Sequence, residues 1–341
     1  MGKKIDVIIP AYNVPDKILF RCLASIAIQD ILNDIEVTIV DDASTKQNYT
    51  KVIEPFLPIM KVQILRYEVN GGPGVARQYG IDHTHNEYIS FIDSDDAFNG
   101  SWALETLRNG IESDDNRYQM CVGVFDEIIN SDYVGTDNTP AIVEYSNNMV
   151  WVFAKIYRRD FLQRYNIRFH PTSRANEDTG FNAMCNLLLQ DDKLIKFIPD
   201  HIYLWLDNPN SITRTGNHKY AFGSSERDNL YGYVENMTYA YKTIKKIKPD
   251  AKGYLSFVIY SVTWLYEHYV QCYVMNPDAF SENLKWYNRY YKEIFQYYEN
   301  EVTIDLIENF YDSKMNDFFE EINIVPHKDF MEFIEEIKLV K

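Results

Sequence analysis

The chain contains few cysteines and fewer basic than acidic residues, and both shortages exclude classes of protein. Its four cysteines are widely spaced and form no C-x-x-C pair, which argues against a disulfide framework and against a zinc site. Lysine and arginine number 34 against 50 acidic residues, so the formal net charge is −16. A broad nucleic-acid-binding face needs the opposite charge. The unpaired cysteines indicate a cytoplasmic protein.

Long apolar runs are also missing from the 341 residues. A membrane-spanning helix needs roughly 20 apolar residues in succession, and the nearest candidate, 254–274, is interrupted by Glu267, His268 and Gln271. The apolar start before Pro10 is too short for a signal peptide. We therefore expect a globular protein without a leader, since apolar residues make up 46% of the chain and charged residues 25%.

Four apolar runs alternate with helical patterns near the start of the chain. They cover 5–9, 36–40, 62–67 and 88–92. Such runs are typical of buried strands, and their alternation with helices predicts a parallel sheet covered on both faces. The predicted fold class is therefore α/β. Further buried strands are predicted over 118–125, 150–156, 194–198 and 202–206.

Three carboxylates, Asp93, Asp95 and Asp96, directly follow the fourth run. Ligands of parallel sheets bind at the carboxyl ends of the strands. Crowded carboxylates repel one another, and a divalent cation offsets that repulsion. Oxygen ligands suit Mg²⁺ or Mn²⁺, which also bind phosphate oxygens. An acidic loop before the helix that starts near Ser101 explains the same residues, so the pattern alone leaves both interpretations open.

A second acidic pair, Glu177 and Asp178, opens a predicted helix with Phe181 and Met184 on its apolar stripe. Acidic residues in a first turn interact favourably with the helix dipole. The pair therefore has a structural explanation beside a catalytic one.

The composition changes near residue 220, because 16 of the 27 tyrosines lie from Tyr220 onward. Helical patterns dominate there, most clearly over 253–274, 284–298, 302–310 and 330–337. We predict two regions, a sheet-containing one over 1–220 and a helical, aromatic-rich one over 221–341.

Five segments carry a family resemblance when they are read in order. They are IIPAYN, VDDAS, NGGPGVARQYGI, FIDSDD and NEDTGF, and a later NSITR fits the same series. Together they resemble glycosyltransferase family 2, the inverting enzymes of the GT-A fold, over about residues 5–220. A weaker resemblance is to bacterial and phage enzymes that glycosylate cell-surface polymers such as wall teichoic acid. The resemblance implies that residues 1–220 are a GT-A catalytic domain.

This resemblance implies a UDP-sugar donor and assigns residues to it. Tyr12 would stack on the uracil while Asp42 accepts the uracil N3–H. Asp93 would hold the ribose, and Asp95 would bind the Mn²⁺ or Mg²⁺ that bridges the two phosphates. The implied donor-binding residues are Pro10, Ala11, Tyr12, Asn13, Asp42, Asn70, Gly71, Arg77, Asp93, Ser94 and Arg214.

The resemblance also implies specific contacts for Arg77, Arg214 and His218. Arg77 lies one turn into the helix after the glycine-rich turn and could reach the base or a phosphate. Arg214 could contact the diphosphate from a later loop. His218 is the candidate third metal ligand, and a surface histidine is the alternative.

Inversion needs a single displacement at the anomeric carbon by an acceptor hydroxyl, whose proton one carboxylate must take. Asp178 is the predicted base and Glu177 the neighbour that orients the acceptor or the loop. An exchange of these two roles stays open.

These assignments predict a metal-dependent inverting glycosyltransferase. It would move a hexose or N-acetylhexosamine from a UDP-sugar to a hydroxyl of a cell-surface glycan or polyol-phosphate polymer. A nucleotidyltransferase would need a basic glycine-rich loop near the first strand, which IIPAYN lacks. A non-catalytic sugar-binding or scaffold protein is a second alternative. The net charge disfavours a third, a phage enzyme that glycosylates modified DNA bases.

The role of the tyrosine-rich region stays open at the level of sequence. Aromatic faces such as those of Trp264, Tyr266 and Tyr269 stack on sugar rings and also form subunit cores. The region is expected to position a polymeric acceptor or to join subunits of a homo-oligomer. Peripheral membrane association, near the inner face of the membrane, has only the basic residues at 242–248 to support it.

Overall fold

The computed structural model describes residues 3–129, 141–173, 175–206, 208, 224–275, 277–298 and 325–339. Its internal contacts divide the chain into two compact units, Met1–Pro209 and Asn210–Lys341. The roles predicted for the two regions stay predictions, and each unit is described by itself.

The first half of the sheet in the N-terminal unit is parallel. Ile5–Ala11 (β1) lies between Ile35–Asp41 (β2) and Tyr88–Phe91 (β4), and Lys61–Arg66 (β3) pairs with β2. All seven residues of β1 are buried, as expected for a strand covered on both faces. The four predicted strands are therefore present, each within two residues of its expected bounds.

Pro10 lies inside β1, which extends two residues beyond the predicted end at Ile9. A proline normally breaks a ladder because it has no N–H. Pairing of β1 with β4 ends at Ile8, on the side toward which the missing N–H of Pro10 would point. No hydrogen bond of the ladder is lost, and the strand continues.

The second half of the sheet is mixed. Its strands are Ala97–Phe98 (β5), Met120–Ile129 (β6), Ala141–Tyr145 (β7), Lys155–Arg158 (β8) and Ile195–Trp205 (β9). The strand order is β3-β2-β1-β4-β8-β6-β9-β5, with β7 paired to β6. β8 is antiparallel to both neighbours, whereas β6 and β9 are parallel. The predicted α/β class, with a central sheet and a helical C-terminal region, is confirmed.

One strand prediction in this half was wrong, and two predicted strands form a single strand. The strand expected over 150–156 begins only at Lys155, because Ala154 takes a left-handed backbone conformation with φ of 54°. The strands expected over 194–198 and 202–206 form one strand, β9, in which register shifts opposite β6 accommodate Pro199. Residues 150–154 therefore leave the sheet, with consequences for the site.

The helices described in the N-terminal unit pack around the sheet, and the close approach of one of them requires a glycine. The helices are Asp16–Ala27 (α1), Thr50–Ile53 (α2), Pro73–Asp82 (α3), Ala103–Asn116 (α4), Arg159–Arg164 (α5) and Glu177–Leu189 (α6). A Cβ on Gly80 of α3 would lie 2.5 Å from Ile8 of β1, so only glycine allows this contact. α1 buries the predicted face of Leu19, Cys22, Leu23 and Ile26.

The C-terminal unit is helical. Its described helices are Ser224–Ile247 (α7), Tyr254–Met275 (α8), Pro277–Tyr298 (α9) and a last one over Phe330–Leu339. Tyr266, Tyr269 and Tyr291 are almost fully buried, and the Tyr233 ring stacks on Trp264 at 3.7 Å. The helix predicted over 302–310 lies outside the described residues. Among the helices described, none combines the length and apolarity needed to cross a bilayer.

Candidate active site

Arg77 of α3 is the centre of the candidate site. Its Nη1 donates to Glu177 Oε1 at 2.7 Å and to Asp178 Oδ1 at 2.8 Å, and its Nη2 donates to Asp93 Oδ1 at 2.6 Å. The arginine is only 3% exposed. It was predicted to reach the nucleotide base or a phosphate, whereas its guanidinium is held by three carboxylates. We call these four residues the Arg77 cluster.

The charges of the Arg77 cluster shift the ionisation of its members. Burial disfavours the charged guanidinium, but Asp178, Asp93 and Glu177 outweigh that effect and hold the pKa of Arg77 above its ordinary value. Burial raises the pKa of Asp178 to about 7, with Glu177 adding to the increase and Arg77 opposing it. Asp178 therefore titrates near neutral pH, a property that acid–base catalysis uses.

The two acids of α6 are held in place by backbone as well as by Arg77. The N–H of Val152, in the segment that leaves the sheet, donates to Asp178 Oδ2 at 3.3 Å. A Cβ on Gly74 would meet Glu177 Cγ at 2.8 Å, so the glycine lets α3 approach α6. Gly74 therefore makes room for the Glu177 side chain at the start of α6.

The acids after β4 differ in their surroundings. Asp96 is 1% exposed and accepts from the Tyr203 hydroxyl at 2.6 Å and from the Leu206 N–H at 2.9 Å. Asp95 accepts from the Asn208 side chain at 2.8 Å. Burial, together with the other carboxylates, raises the pKa values of Asp93 and Asp96. Asp96 is thus a buried anchor of the loop, and Ser94 is buried beside it.

The residues present fit a divalent cation whose remaining ligands are phosphate oxygens of the substrate. Within the described ranges, no group of three or more His, Cys, Asp or Glu side chains is arranged to hold a metal ion. Mg²⁺ usually binds through one or two carboxylates together with substrate phosphates. Asp95, partly exposed in a crowd of acids, fits that donor set. Arg214 and His218 lie outside the described residues.

The loops after β1 and β2 are tied together where the uracil pocket was predicted. Asn13 has a φ of 51°, and its Oδ1 accepts from the N–H groups of Thr45 and Lys46 at 2.9 and 2.8 Å. Tyr12 beside it is 49% exposed, so its ring face is accessible to a base. Pro10 and Ala11 are buried strand residues, and their place in the pocket stays a prediction.

Asp42 and the glycine-rich turn form one structural unit. The carboxylate accepts from the N–H of Gly71 at 2.7 Å, from the N–H of Gly72 at 2.8 Å and from the Asn70 amide at 3.0 Å. Gly72 needs its freedom here, because its φ is 88°. Sequence reasoning placed Asp42 and Asn70 separately on the donor, and it missed that the aspartate organises the loop.

Sequence reasoning also missed a buried lysine that holds the segment on either side of Val152. Lys155 is completely buried, and its Nζ donates to the carbonyls of Trp151 at 2.6 Å and Phe153 at 3.3 Å. Burial lowers the pKa of Lys155 to about 7. Asn182 of α6 donates to the carbonyls of Val150 and Trp151 at 2.9 and 2.8 Å. A lysine inside the apolar run WVFAKIY was the available signal.

Comparison with known proteins supports the family resemblance. The family model "Glycosyl transferase family 2" matches residues 6–175. Poly(ribitol-phosphate) beta-N-acetylglucosaminyltransferase TarS of Staphylococcus aureus is 28% identical over 192 residues, covering 54% of this chain and 32% of TarS. The chain spans between 32 and 62% of the length of several curated relatives that it matches.

Solved structures show the same fold. A crystal structure of S. aureus TarS in complex with UDP-GlcNAc superposes with a TM-score of 0.50 at 17% identity, covering 88% of this chain and 93% of that one. Mannosyltransferase PcManGT from Pyrobaculum calidifontis was solved in complex with GDP-Man and Mn²⁺. It superposes with a TM-score of 0.51 at 13% identity, covering 94% of this chain and 82% of that one. These likenesses show the fold, and the matched family model together with the ordered motifs shows that the chain belongs to glycosyltransferase family 2.

Proposed function

We propose that this chain is a metal-dependent, inverting glycosyltransferase. It transfers a hexose or N-acetylhexosamine from a UDP-sugar to a hydroxyl of a cell-surface glycan or polyol-phosphate polymer. The observation that carries the proposal is the Arg77 cluster. It joins Asp178, whose pKa is near 7, to Asp93 at the end of a parallel strand. A carboxylate suited to proton transfer thus lies beside the strand ends where ligands of such sheets bind.

The donor lies across the ends of β1, β2 and β4 in this proposal. Tyr12 stacks on the uracil, and Asp42, already bonded to Asn70 and Gly71, borders the base. Support comes from the TarS relative, which was crystallised with UDP-GlcNAc. Asp93 receives the ribose while Arg77 holds its carboxylate in position.

Asp95 holds the divalent cation in this proposal, together with oxygens of the diphosphate. When bound, the cation neutralises the charge that develops on the departing diphosphate. Support comes from the donor set around Asp95 and from PcManGT, which was crystallised with Mn²⁺. Arg214 and His218 remain the proposed additional contacts to the diphosphate and the metal.

Asp178 acts as the base. Its carboxylate takes the proton of the acceptor hydroxyl as that oxygen bonds to the anomeric carbon and the bond to the diphosphate breaks. Arg77 and the Val152 N–H hold the carboxylate in place. Glu177, bonded to the same guanidinium nitrogen, orients the acceptor side of the site. Exchanged roles of the two acids are the alternative that single variants distinguish.

A donor screen tests the proposal. The purified chain is incubated with UDP-glucose, UDP-galactose, UDP-GlcNAc and UDP-GalNAc, and released UDP is measured with Mn²⁺ and with EDTA. We expect release from at least one donor with Mn²⁺ and its loss with EDTA. A non-catalytic sugar-binding protein on the same fold would bind UDP but would cleave none of the UDP-sugars. That outcome would refute the enzyme assignment.

The setting of the enzyme is part of the proposal. All four cysteines lie in the described residues, are buried and form no disulfide, which supports a cytoplasmic location. The helical unit serves acceptor positioning or subunit assembly. Light scattering of the purified chain distinguishes an assembly role, because a monomer would exclude it.

A further inference from the structure

Trp151 directly precedes Val152, whose N–H contacts the proposed base, and its ring neighbours that of Trp205. Both tryptophans are partly exposed, and the functions assigned above do not use them. The rings of Trp151 and Trp205 lie 5.4 Å apart at an interplanar angle of 48°. Phe153 lies under both, parallel to Trp151 at 5.9 Å and tilted to Trp205 at 6.3 Å. The two partly exposed indole rings, together with the buried Phe153 that both contact, form an aromatic surface that we call the Trp151–Trp205 platform.

The position of Trp151 is fixed relative to the base by buried polar groups. Its carbonyl accepts from Lys155 Nζ at 2.6 Å and from Asn182 Nδ2 at 2.8 Å, and both donors are 0% exposed. The next residue, Val152, donates its N–H to Asp178. Burying a lysine and an asparagine is costly unless they are satisfied, and here both are used to hold this loop.

The other end of the platform is tied to the donor side of the site. Phe153 stacks on Tyr203 at 4.4 Å, and the Tyr203 hydroxyl donates to Asp96. Trp205 ends β9, one residue before Leu206, whose N–H also donates to Asp96. The platform therefore links the carboxylate proposed as base with the acidic loop proposed to face the diphosphate.

The chemistry of this surface selects among acceptors. A pyranose presents a flat face of C–H groups, which packs against the negative π face of an indole, whereas an open-chain polyol presents no such face. The register of the sheet places Glu127 opposite Trp205, and its carboxylate, which already accepts from the Tyr145 hydroxyl at 3.0 Å, has the capacity to accept further hydroxyl hydrogens. Of the described cations that contact this loop or Asp178, Arg77 is bound by three carboxylates and Lys155 is buried against carbonyls.

We infer that the Trp151–Trp205 platform is the acceptor subsite and that it takes the pyranose ring of a neutral glycan rather than a polyol-phosphate chain. This inference rests on the proposed glycosyltransferase function and narrows its acceptor to one of the two classes. A polyanionic chain would approach Asp178, Glu177 and Glu127 without a described cation to receive its phosphates.

The test compares acceptors and tryptophan variants. The full chain is supplied with the preferred UDP-sugar and either a set of p-nitrophenyl pyranosides (glucoside, galactoside and N-acetylglucosaminide) or poly(ribitol phosphate). We expect transfer to a pyranoside. Trp205→Ala and Trp151→Ala should raise its KM at least tenfold, while UDP affinity measured by calorimetry stays within twofold. Trp205→Phe should recover part of the affinity.

Trp102 provides the matched control, since it is a 39% exposed tryptophan with no described ring contact to the platform. Trp102→Ala should leave the acceptor KM unchanged. Transfer to poly(ribitol phosphate) but to no pyranoside would overturn the inference and leave the proposed function standing, as would unchanged KM values in both alanine variants. If the wild type released no UDP from any donor, the proposed function itself would fail.

Discussion

Both units of the chain bury ionisable side chains, but they accommodate them in different ways. The N-terminal unit pairs charges in the Arg77 cluster and in the ion pair of Arg159 with Asp6 at 2.8 Å, although its Lys155 donates to carbonyls. In the C-terminal unit burial favours the neutral forms of His268 and Glu267. It lowers the pKa of His268 to about 3 and raises that of Glu267 to about 7.

This difference indicates that the buried groups serve packing in the C-terminal unit and the proposed catalysis in the N-terminal unit. His268 lies among aromatic rings and shares a neutral hydrogen bond of 2.9 Å with the Tyr291 hydroxyl, an arrangement suited to a stable helical core. The Arg77 cluster keeps three carboxylates around one cation, which costs desolvation that only good pairing offsets. We therefore expect function to depend on the paired charges and stability to depend on both units.

The largest expected effect is on the proposed base. Asp178→Asn removes the carboxylate that accepts the proton, so transfer should fall by about 10²–10⁴-fold. UDP affinity by calorimetry should be retained. Glu267→Gln is the matched control, because Glu267 also has a pKa raised to about 7 but lies in the helical unit. Normal turnover in Asp178→Asn would contradict its assignment as the base. An equal loss in Glu267→Gln would show that the loss is not specific to the Arg77 cluster.

The next effect is on folding. Arg77→Met leaves three carboxylates without their cation, so the free energy of unfolding measured in urea should fall by about 3–5 kcal/mol. His268→Phe in the other unit should cost about 1–3 kcal/mol, because it removes the buried hydrogen bond between His268 and the Tyr291 hydroxyl. Equal losses would show that the paired cluster contributes no more to stability than a neutral hydrogen bond.

The pH profile should report the raised pKa of Asp178. A base acts in its deprotonated form, so transfer should rise with pH along an acidic limb up to about 7 and stay constant above that value. Below that value, activity should fall by about tenfold per pH unit. Glu267→Gln should leave the limb in place. A limb centred near pH 4 would place the catalytic proton on another group.

The smallest effect concerns two exposed tyrosines, one in each unit. Tyr12 is 49% exposed at the end of β1, and Tyr231 is 43% exposed on α7. Tyr12→Ala should weaken UDP binding by about 1 kcal/mol through loss of ring stacking. Tyr231→Ala should not change it. An unaltered UDP affinity in Tyr12→Ala would place the base elsewhere.

Much of the fold follows from local patterns. The spacing of Leu19, Cys22, Leu23 and Ile26 predicted the buried face of α1, and the apolar runs predicted the parallel strands. The failure at 150–156 has a physical cause. An apolar run shows only that residues are buried. There the carbonyls of Val150, Trp151 and Phe153 accept from the buried Lys155 and Asn182 rather than from a neighbouring strand.

By itself, the sequence determined the first four strands and the buried face of α1, because periodicity depends on neighbours only a few residues apart. It also showed that acids follow the strands. Only the tertiary structure decided how those acids are used. Arg77 meets Asp178 across 101 positions of sequence, and Tyr203 meets Asp96 across 107. The charges of the Arg77 cluster can be buried because distant elements bring their partners together, and no local pattern specifies those partners.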